Sequence, residues 1–218
     1  MSAVKGEPKS SLRAERAQVT RTRIADAART LFSTRGYGST TLTAIASEAG
    51  VAVQTVYAVY GSKAGILRAL REAVLRQPDA EALFEAAMRE RDPDAQLHLF
   101  ARSIRQRWEH GHDVVAIHQD AAATDPTLRH EVEGVLAIRR NGIGRLAASF
   151  QPALAPGVEA ARATAILDAL TLPEVYAELV DVQSWTPDEF EAWLVMTLRQ
   201  QLLRRSVVRS ASTRTLRH

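Results

Sequence analysis

The side chains between Val53 and Lys63 are the first in this sequence whose types and spacing suggest a chemical task. Gln54 is the only one in this small, smooth segment that can form a bidentate hydrogen-bond pair with an adenine edge. Hydroxyl and ammonium donors, which suit phosphate oxygens, come from Thr55, Tyr57 and Lys63. The segment therefore has the chemistry to contact DNA, with one group for a base and several for the backbone.

Two short helices joined by a glycine turn would have to position these groups. Thr41 is a good helix cap, and apolar residues follow it at helical spacing, namely Leu42, Ile45, Ala46 and Ala49. Gly50 permits a sharp turn, after which we predict a helix from about Val53 to Tyr60. This arrangement is typical of a helix-turn-helix, whose second helix enters a major groove.

Helical periodicity extends through the rest of the chain, without any strand-like alternation. We predict a first helix over roughly 20–35 and a fourth from Ser62, followed by helices at roughly 80–90, 93–109, 112–123, 127–149, 157–180 and 187–205. Thr186 and Glu189 form a capping box at the start of the last helix. The expected fold is all-α, with a three-helix helix-turn-helix domain followed by a larger helical domain for ligand binding and dimerisation.

Charge divides the sequence into three zones. Residues 1–76 carry 12 basic and 5 acidic groups, residues 77–198 carry 10 and 20, and residues 199–218 carry 6 and 0. A basic first third beside an acidic remainder indicates a nucleic-acid footprint on one module, although charge alone also allows a solvated basic face.

Composition and charge together give an expected division of the chain. We predict a disordered basic arm at 1–17, a DNA-binding domain at 18–62, an effector-binding and dimerisation domain at 63–205, and a disordered basic tail at 206–218. There is no cysteine, no signal-peptide core at the start and no run of 18 apolar residues, so we expect a soluble cytoplasmic protein.

The stretch TTLTAIASEAGVAVQTVYAVYGSKAGIL, Thr40 to Leu67, resembles the DNA-binding motif of the TetR family of bacterial transcriptional regulators. It reproduces a threonine-led second helix, an Ile-Ala pair, Ala-Gly-Val at the turn, Thr-Val-Tyr in the recognition helix and Ser-Lys opening the fourth helix. The likeness extends forward to RTRIADAARTLFSTRGYGSTT. It reaches more loosely to LPEVYAELVDVQSWTPDEFEAWLVMTL, which is similar to a group of actinobacterial-type members.

In that family three helices bind DNA, a larger helical domain binds a small effector, and dimers occupy a palindromic operator. The resemblance thus implies a ligand-responsive homodimeric repressor that a small hydrophobic effector releases from its operator. Carried over by position, it implies phosphate contacts from Thr41, Thr55, Tyr57 and Lys63 and base contacts from the region of Thr43, Val53 and Gln54. The alternative is a ligand-binding or scaffold protein that keeps the fold without operator recognition.

Three positions depart from the family pattern. Val59 stands where many members have histidine, Tyr60 where phenylalanine is usual, and Ala52 where a serine commonly caps the recognition helix. Loss of the serine cap costs about 1 kcal/mol of local stability. Loss of the histidine removes a polar contact, so the operator of a known member cannot be transferred to this chain.

The final helix carries apolar residues over an arc too wide for one buried stripe, namely Phe190, Trp193, Leu194, Val195, Met196, Leu198, Leu202 and Leu203. The preceding segment, ALDALTLPEVYAELV, is also more apolar than a surface helix requires. We therefore predict a homodimer through the last two helices, as a four-helix bundle across a two-fold axis. Burial of both helices within one subunit is the alternative.

An effector site has candidates but no signature in this sequence. Apolar and aromatic side chains of the central helices are expected to line a pocket, in particular Phe100, Ile104, Trp108 and Tyr176, with Val115, Ile117 and Leu136 as further candidates. Polar groups that would orient a ligand are His112, His118 and Arg140. Because most of the candidates are apolar, we expect a hydrophobic or aromatic effector. The alternative for each candidate residue is an ordinary place in the core.

Metal binding, a cofactor and catalysis find little support in the motifs. The segment EHGHD at 109–113 lacks a ligand pair at helical spacing, so we predict no metal site there. The sequence has no Gly-x-Ser-x-Gly elbow, no zinc-protease motif and no cysteine nucleophile, so we expect no enzyme. The remaining enzyme hypothesis, turnover of a small hydrophobic molecule, would be independent of DNA.

Overall fold

Eleven α-helices account for most of residues 8–204, the part of the chain that the structure, a computed structural model, describes. In chain order they are α1 (Pro8–Arg35), α2 (Leu42–Ala49), α3 (Val53–Tyr60), α4 (Lys63–Leu75), α5 (Pro78–Arg89), α6 (Pro93–Glu109), α7 (His112–Thr124), α8 (Pro126–Ser149), α9 (Ala160–Leu170), α10 (Pro173–Ala177) and α11 (Pro187–Leu202). A 3-10 turn, Gln151–Ala153, follows α8, and a π-helical turn, Glu178–Val182, follows α10. Since residues 8–204 contain no β-strand, the predicted all-α fold is confirmed.

Helix α1 is longer than the sequence analysis predicts. It begins at Pro8 rather than near residue 20, so residues 8–17, which we assigned to a disordered arm, are helical. The reason is local, because Leu, Ala, Glu, Arg and Gln in the stretch 12–18 are all good helix formers even on an exposed helix. Residues 1–7 of the expected arm and the expected tail at 206–218 lie outside the described residues.

The two helix starts predicted from capping residues are confirmed. The Thr41 hydroxyl accepts a hydrogen bond from the Ala44 N–H at 3.1 Å, and the Thr186 hydroxyl accepts one from the Glu189 N–H at 3.2 Å. Glu189 in turn accepts from the Thr186 N–H at 2.7 Å, which lowers the pKa of its carboxyl group. Each side chain satisfies an amide that the first helical turn leaves without a partner.

The helix predicted over 157–180 is broken into two pieces. Helix α9 ends at Leu170 and α10 begins at Pro173, because proline lacks the N–H that would continue the helical ladder. The Thr171 carbonyl at the break instead accepts hydrogen bonds from the Trp108 indole at 3.0 Å and from Arg139 at 2.9 Å. The break therefore brings side chains of α6 and α8 to one buried point.

The remaining helices form a bundle that α4 joins to the first three. Helices α5 and α6 pack as an antiparallel pair, α8 packs on α7 and α9, and α11 packs on α6. Helix α4 contacts α1 and α3 as well as α7. Within residues 8–204 no single helix is long and apolar enough to cross a membrane. Helices α2 and α3 taken together reach the length and apolar composition of a membrane span, but a 106° bend separates them.

Candidate DNA-reading surface and effector cavity

The helix-turn-helix is formed by α2 and α3, which lie at 106° to each other. Gly50 makes the turn with φ of 63°, and a side chain there would begin 2.7 Å from the Arg23 guanidinium. Val56 is fully buried against the core of the first helices, whereas Gln54, Tyr57 and Ala58 of the same helix are exposed. The two short helices thus anchor α3 by one face and present the other to solvent.

The residues predicted to contact DNA lie on these two helices and at the start of α4. Thr41 and Thr43 are exposed in the first turn of α2, and Gln54 and Tyr57 are exposed on α3. The side chains of Val53 and Thr55, in the first turn of α3, are half-buried. Ala52 makes no side-chain capping bond, as expected where serine is missing.

Two arginines of α1 that the sequence analysis did not single out fix α3 and α2 in place. The Arg21 guanidinium lies 5.0 Å from the centre of the Tyr60 ring, and the Tyr60 hydroxyl donates to the Arg21 carbonyl at 2.9 Å. The Arg23 guanidinium donates to the Ala49 carbonyl, at the C-terminal end of α2, at 2.5 Å. Burial raises the pKa of the Tyr60 hydroxyl, so it stays protonated and keeps this bond.

Lys63, predicted as a phosphate donor, has intramolecular partners in the structure. Its ammonium group donates to the carbonyls of Tyr37 at 2.6 Å, Gly38 at 3.3 Å and Thr40 at 2.9 Å, and lies 4.3 Å from the centre of the Tyr37 ring. Since an ammonium group has three N–H donors, all of them are used by the loop between α1 and α2. Burial lowers the pKa of Lys63.

A close approach of backbone to backbone joins α3 to α4. A Cβ added to Gly65 would lie 2.0 Å from the Tyr60 carbonyl oxygen, too close for any side chain. Ser62 caps α4 by accepting from the Gly65 N–H at 3.0 Å. The exposed residues of α2 and α3, which we call the reading surface, are therefore connected rigidly to the first turn of α4.

A cavity of about 380 Å³ lies at the other end of α4, between α4, α6, α7 and α8. Its wall is mostly apolar, with Val74, Phe84, Phe100, Ile104, Trp108, Val115, Val132, Leu136 and Ile143 among the lining residues. This volume is at the lower end of the range for small-molecule sites. The last residue of α4, Leu75, contributes to the wall.

Four of the seven residues predicted to bind an effector line this cavity, namely Phe100, Ile104, Trp108 and His118. The other three do not. His112 bonds to Asp181 at 2.8 Å, and Tyr176 is buried between the rings of His112 and Phe190, at 5.2 and 4.9 Å between centroids. Arg140 is exposed on α8, where one helical step of about 100° turns it away from the side on which Arg139 lines the cavity.

His118 is a buried titratable group of the cavity wall. Arg71 donates to its Nε2 atom at 3.3 Å, and Arg71 also bonds Glu131 at 2.8 Å. Burial, with the nearby charge of Arg71, lowers the pKa of His118 to about 4. The ring is therefore neutral near pH 7 and carries its proton on Nδ1, since Nε2 is the acceptor.

The Arg139 guanidinium is paired with Asp168 and also bonds the Thr171 hydroxyl at 2.8 Å. Burial lowers the pKa of Arg139 to about 10. Its hydrogen bonds close the break between α9 and α10 against the cavity wall. Arg139 is the arginine of this pair that contacts the cavity, and sequence periodicity alone does not separate it from Arg140.

The first helix is also tied to α7, outside the cavity. Arg29 bonds both carboxylate oxygens of Asp113, at 2.6 and 2.5 Å, and the His110 carbonyl at 3.0 Å. The Asp120 carboxylate accepts from the Tyr37 N–H at 3.3 Å. The reading surface and the cavity domain are thus joined by an ion pair and a hydrogen bond in addition to α4.

A sequence model described as "Bacterial regulatory proteins, tetR family" matches residues 24–70, which span the end of α1 and all of α2 and α3. This segment of the chain matches the DNA-binding region of the TetR family. The match confirms the predicted likeness to the helix-turn-helix region of DNA-binding transcriptional regulators of that family. A comparison with curated protein sequences gives no match.

Solved structures of similar fold extend over most of this chain. NalD of Pseudomonas aeruginosa, the secondary repressor of the MexAB-OprM multidrug efflux pump, is 27% identical with a TM-score of 0.68, over 88% of this chain and 99% of NalD. SmeT in complex with triclosan is 20% identical with a TM-score of 0.67, over 91% and 99%. FadR of Bacillus subtilis in complex with stearoyl-CoA is 18% identical with a TM-score of 0.64, over 81% and 96%.

The two histidines of the segment 109–113 have hydrogen-bond partners in α6. His110 lies 2.9 Å from the Gln106 carbonyl, and His112 lies 2.7 Å from the Trp108 carbonyl. Within residues 8–204 no three histidine, aspartate or glutamate side chains come together in a way that would hold a metal ion.

Proposed function

We propose that this protein is a TetR-family homodimeric repressor, which binds a palindromic operator through α3 and leaves it when a small hydrophobic effector enters the cavity. The observation that carries the proposal is the exposed face of α3, held by buried Val56 and flanked by basic α1. The cavity at the far end of α4 supports the ligand response. The repressor NalD supports the same reading by its likeness over most of both chains.

Seven residues make up the proposed DNA contact surface. Gln54 pairs with a base edge, since its exposed amide is the only group on α3 that can bond an adenine in two places. Val53 and Thr43 border it, and the hydroxyls of Thr41, Thr55 and Tyr57 bond phosphates. Lys63 joins this surface as a positioning residue, because its three donors hold the loop before α2.

Dimerisation is proposed through the last two helices. Most of the apolar arc on α11 is buried within the subunit, but Ala192 and Met196 are exposed and Trp193 is half-buried. To bind both half-sites, the two-fold axis of such a dimer must place the two α3 helices about one DNA turn, ~34 Å, apart. We also propose that residues 18–62 and 63–205 act as the DNA-binding domain and the effector-binding and dimerisation domain, with Gly61, where φ is 72°, just before the boundary.

The first experiment is a selection of random duplexes about three helical turns long, incubated with the purified protein at moderate salt. We expect a palindromic consensus whose half-site centres are about 10 base pairs, or a multiple of that, apart. Enrichment of an unpaired half-site would contradict the dimeric operator. No enrichment at any salt concentration would favour a family member that keeps the fold without reading DNA.

The oligomeric state is tested separately by sedimentation. Met196→Glu should convert the dimer to a monomer, because it places a charge in an apolar interface. Val19→Glu is a matched control, since Val19 is also exposed and apolar but lies on α1, away from the last two helices. A dimer that survives Met196→Glu would exclude this face of α11 as the interface.

A further inference from the structure

The wall of the effector cavity is unusually rich in positive charge. Arg71, Arg107, Arg139 and Arg145 line it, whereas Glu174 is the only carboxylate among the lining residues. The remainder of the wall is largely apolar, and such a wall cannot replace the hydration of a guanidinium group. The question is which of these arginines already has an anionic partner within the protein.

Two of the four arginines are paired. Arg71 bonds Glu131 at 2.8 Å, and Arg139 is paired with Asp168. Each of these carboxylates is shared with a second arginine, since Arg68 also contacts Glu131 and Arg140 also approaches Asp168. Arginines therefore outnumber the two carboxylates, and neither carboxylate is left to pair with a further arginine.

Arg107 has no carboxylate within 4 Å in the described part of the chain, and neither has Arg145. Arg145 is exposed, so water can solvate its charge. Arg107 is partly buried, and within residues 8–204 its one hydrogen bond is to the Leu75 carbonyl at 3.2 Å. Burial lowers the pKa of Arg107, and the charge of Glu81 opposes this with a smaller effect. An arginine in this setting gains most from an anion inside the cavity.

We infer that the effector is an amphipathic carboxylic acid, whose carboxylate pairs with Arg107 while its apolar body lies against Phe100, Ile104 and Trp108. This inference rests on the proposed ligand response and adds the chemical class of the ligand. A volume of about 380 Å³ suits a medium-length acyl chain or a two-ring aryl group.

The place of Arg107 gives the carboxylate a direct effect on α4. The Leu75 carbonyl that Arg107 bonds is one of the last in α4, where the helix dipole is negative. A carboxylate bound to the guanidinium repels this negative helix end. It also competes with the Leu75 carbonyl for the N–H donors of Arg107. Binding of the acid therefore favours a state in which the C-terminal turn of α4 has moved away from Arg107.

The test compares acids with amides of the same shape by titration calorimetry on the full-length protein. Decanoate is paired with decanamide, and 2-naphthoate with 2-naphthamide, so that the shape is kept within a pair while the charged carboxylate is replaced by a neutral amide. We expect at least one acid to bind about tenfold or more tightly than its amide, because a charge-assisted hydrogen bond is lost in the amide. Equal affinities within both pairs would overturn the inference but leave the neutral hydrophobic effector of the proposed function intact.

Variants of α6 then assign the preference to one residue. Arg107→Gln should lower the affinity for the acid to that of the amide while leaving the amide unchanged, and Arg107→Lys should keep part of the preference. Arg102→Gln is the matched control, because Arg102 is exposed on the same helix and does not line the cavity. Retention of the acid preference in Arg107→Gln would overturn the assignment. If no acid or amide binds at all, both the inference and the proposed hydrophobic effector are contradicted.

Discussion

The ammonium nitrogen of Lys63, the first residue of α4, lies 2.6 Å from the carbonyl oxygen of Tyr37, in the loop before α2. A cation is disfavoured at a helix N-terminus, because the helix dipole is positive there. The carbonyls of Tyr37, Gly38 and Thr40 compensate by accepting its three hydrogen bonds. The first residue of α4 thus holds the loop that leads into α2, the first helix of the helix-turn-helix.

Lys63→Met should destabilise the protein by roughly 2 kcal/mol, because a partly buried, charge-assisted set of hydrogen bonds is lost. Urea unfolding measures this change, with Arg102→Met as an exposed control. For DNA, a positioning role predicts weaker binding with an unchanged slope of log affinity against log salt. A slope shallower by about one per subunit would show instead that Lys63 contacts a phosphate, as the sequence predicts.

Gln54→Ala should relax the base preference at one position of each half-site by about 1–3 kcal/mol, since it removes the amide that we propose to bond an adenine edge. A binding-selection profile of the variant against wild type measures this. The remaining positions should keep their preference, and Gln200→Ala, an exposed glutamine on α11, should leave the whole profile unchanged. An unaltered profile in Gln54→Ala would remove this residue from the reading surface.

The buried His118 should make stability depend on pH below neutrality. Its pKa in the folded protein is about 4, lower than the ordinary value of 6.5, so the unfolded chain binds a proton that the folded chain does not between these values. Stability contributed by the neutral ring is complete above pH 6.5 and is lost as the pH falls toward 4. Linkage gives a loss of roughly 2 kcal/mol between pH 7.5 and pH 5.

Urea unfolding of wild type and His118→Gln at both pH values isolates this contribution. The variant should be less stable at pH 7.5 but should lose about 2 kcal/mol less on acidification. Glu131 does not interfere, because its pKa is also lowered and its protonation belongs to more acidic solutions. Equal losses in the two proteins would mean that His118 is not held neutral.

Two glycine-to-alanine changes within helices should change the free energy of unfolding in opposite directions. Gly65→Ala should destabilise by about 2 kcal/mol, because the new methyl group collides with the Tyr60 carbonyl. Gly134→Ala, on the exposed side of α8 with no atom within 4 Å of the new group, should stabilise by up to about 1 kcal/mol. Thermal unfolding distinguishes them, and a neutral Gly65→Ala would contradict the close contact between α3 and α4.

Local signals in the sequence were sufficient for the reading surface. A capping threonine at Thr41, a glycine at Gly50 with φ of 63° and the apolar spacing around Val56 are enough to predict both helices and their exposed face. Such features act over a few residues, so they do not depend on the rest of the fold. The capping box at Thr186 was predictable for the same reason.

The cavity could be predicted only in part, because its wall is made by helices distant in sequence. To predict that Arg139 rather than Arg140 lines the cavity, the rotation of α8 about its axis must be known to better than about 100°, the angle between neighbouring residues. Apolar periodicity on a partly exposed helix does not define this rotation. His112 and Tyr176 pack against each other because Pro173 breaks the helix that we predicted to be continuous. Three-dimensional packing, rather than residue type, decided these assignments.

Helix α4 is a single uninterrupted rod of 13 residues, with Lys63 at the reading surface and Leu75 at the cavity. At 1.5 Å per residue its two ends are about 20 Å apart, so it acts as a lever. A tilt of roughly 5° about the cavity end displaces the other end by about 2 Å. In the dimer that we propose, a change too small to reshape the bundle would thereby alter the spacing of the two α3 helices and mismatch it to the helical repeat of DNA.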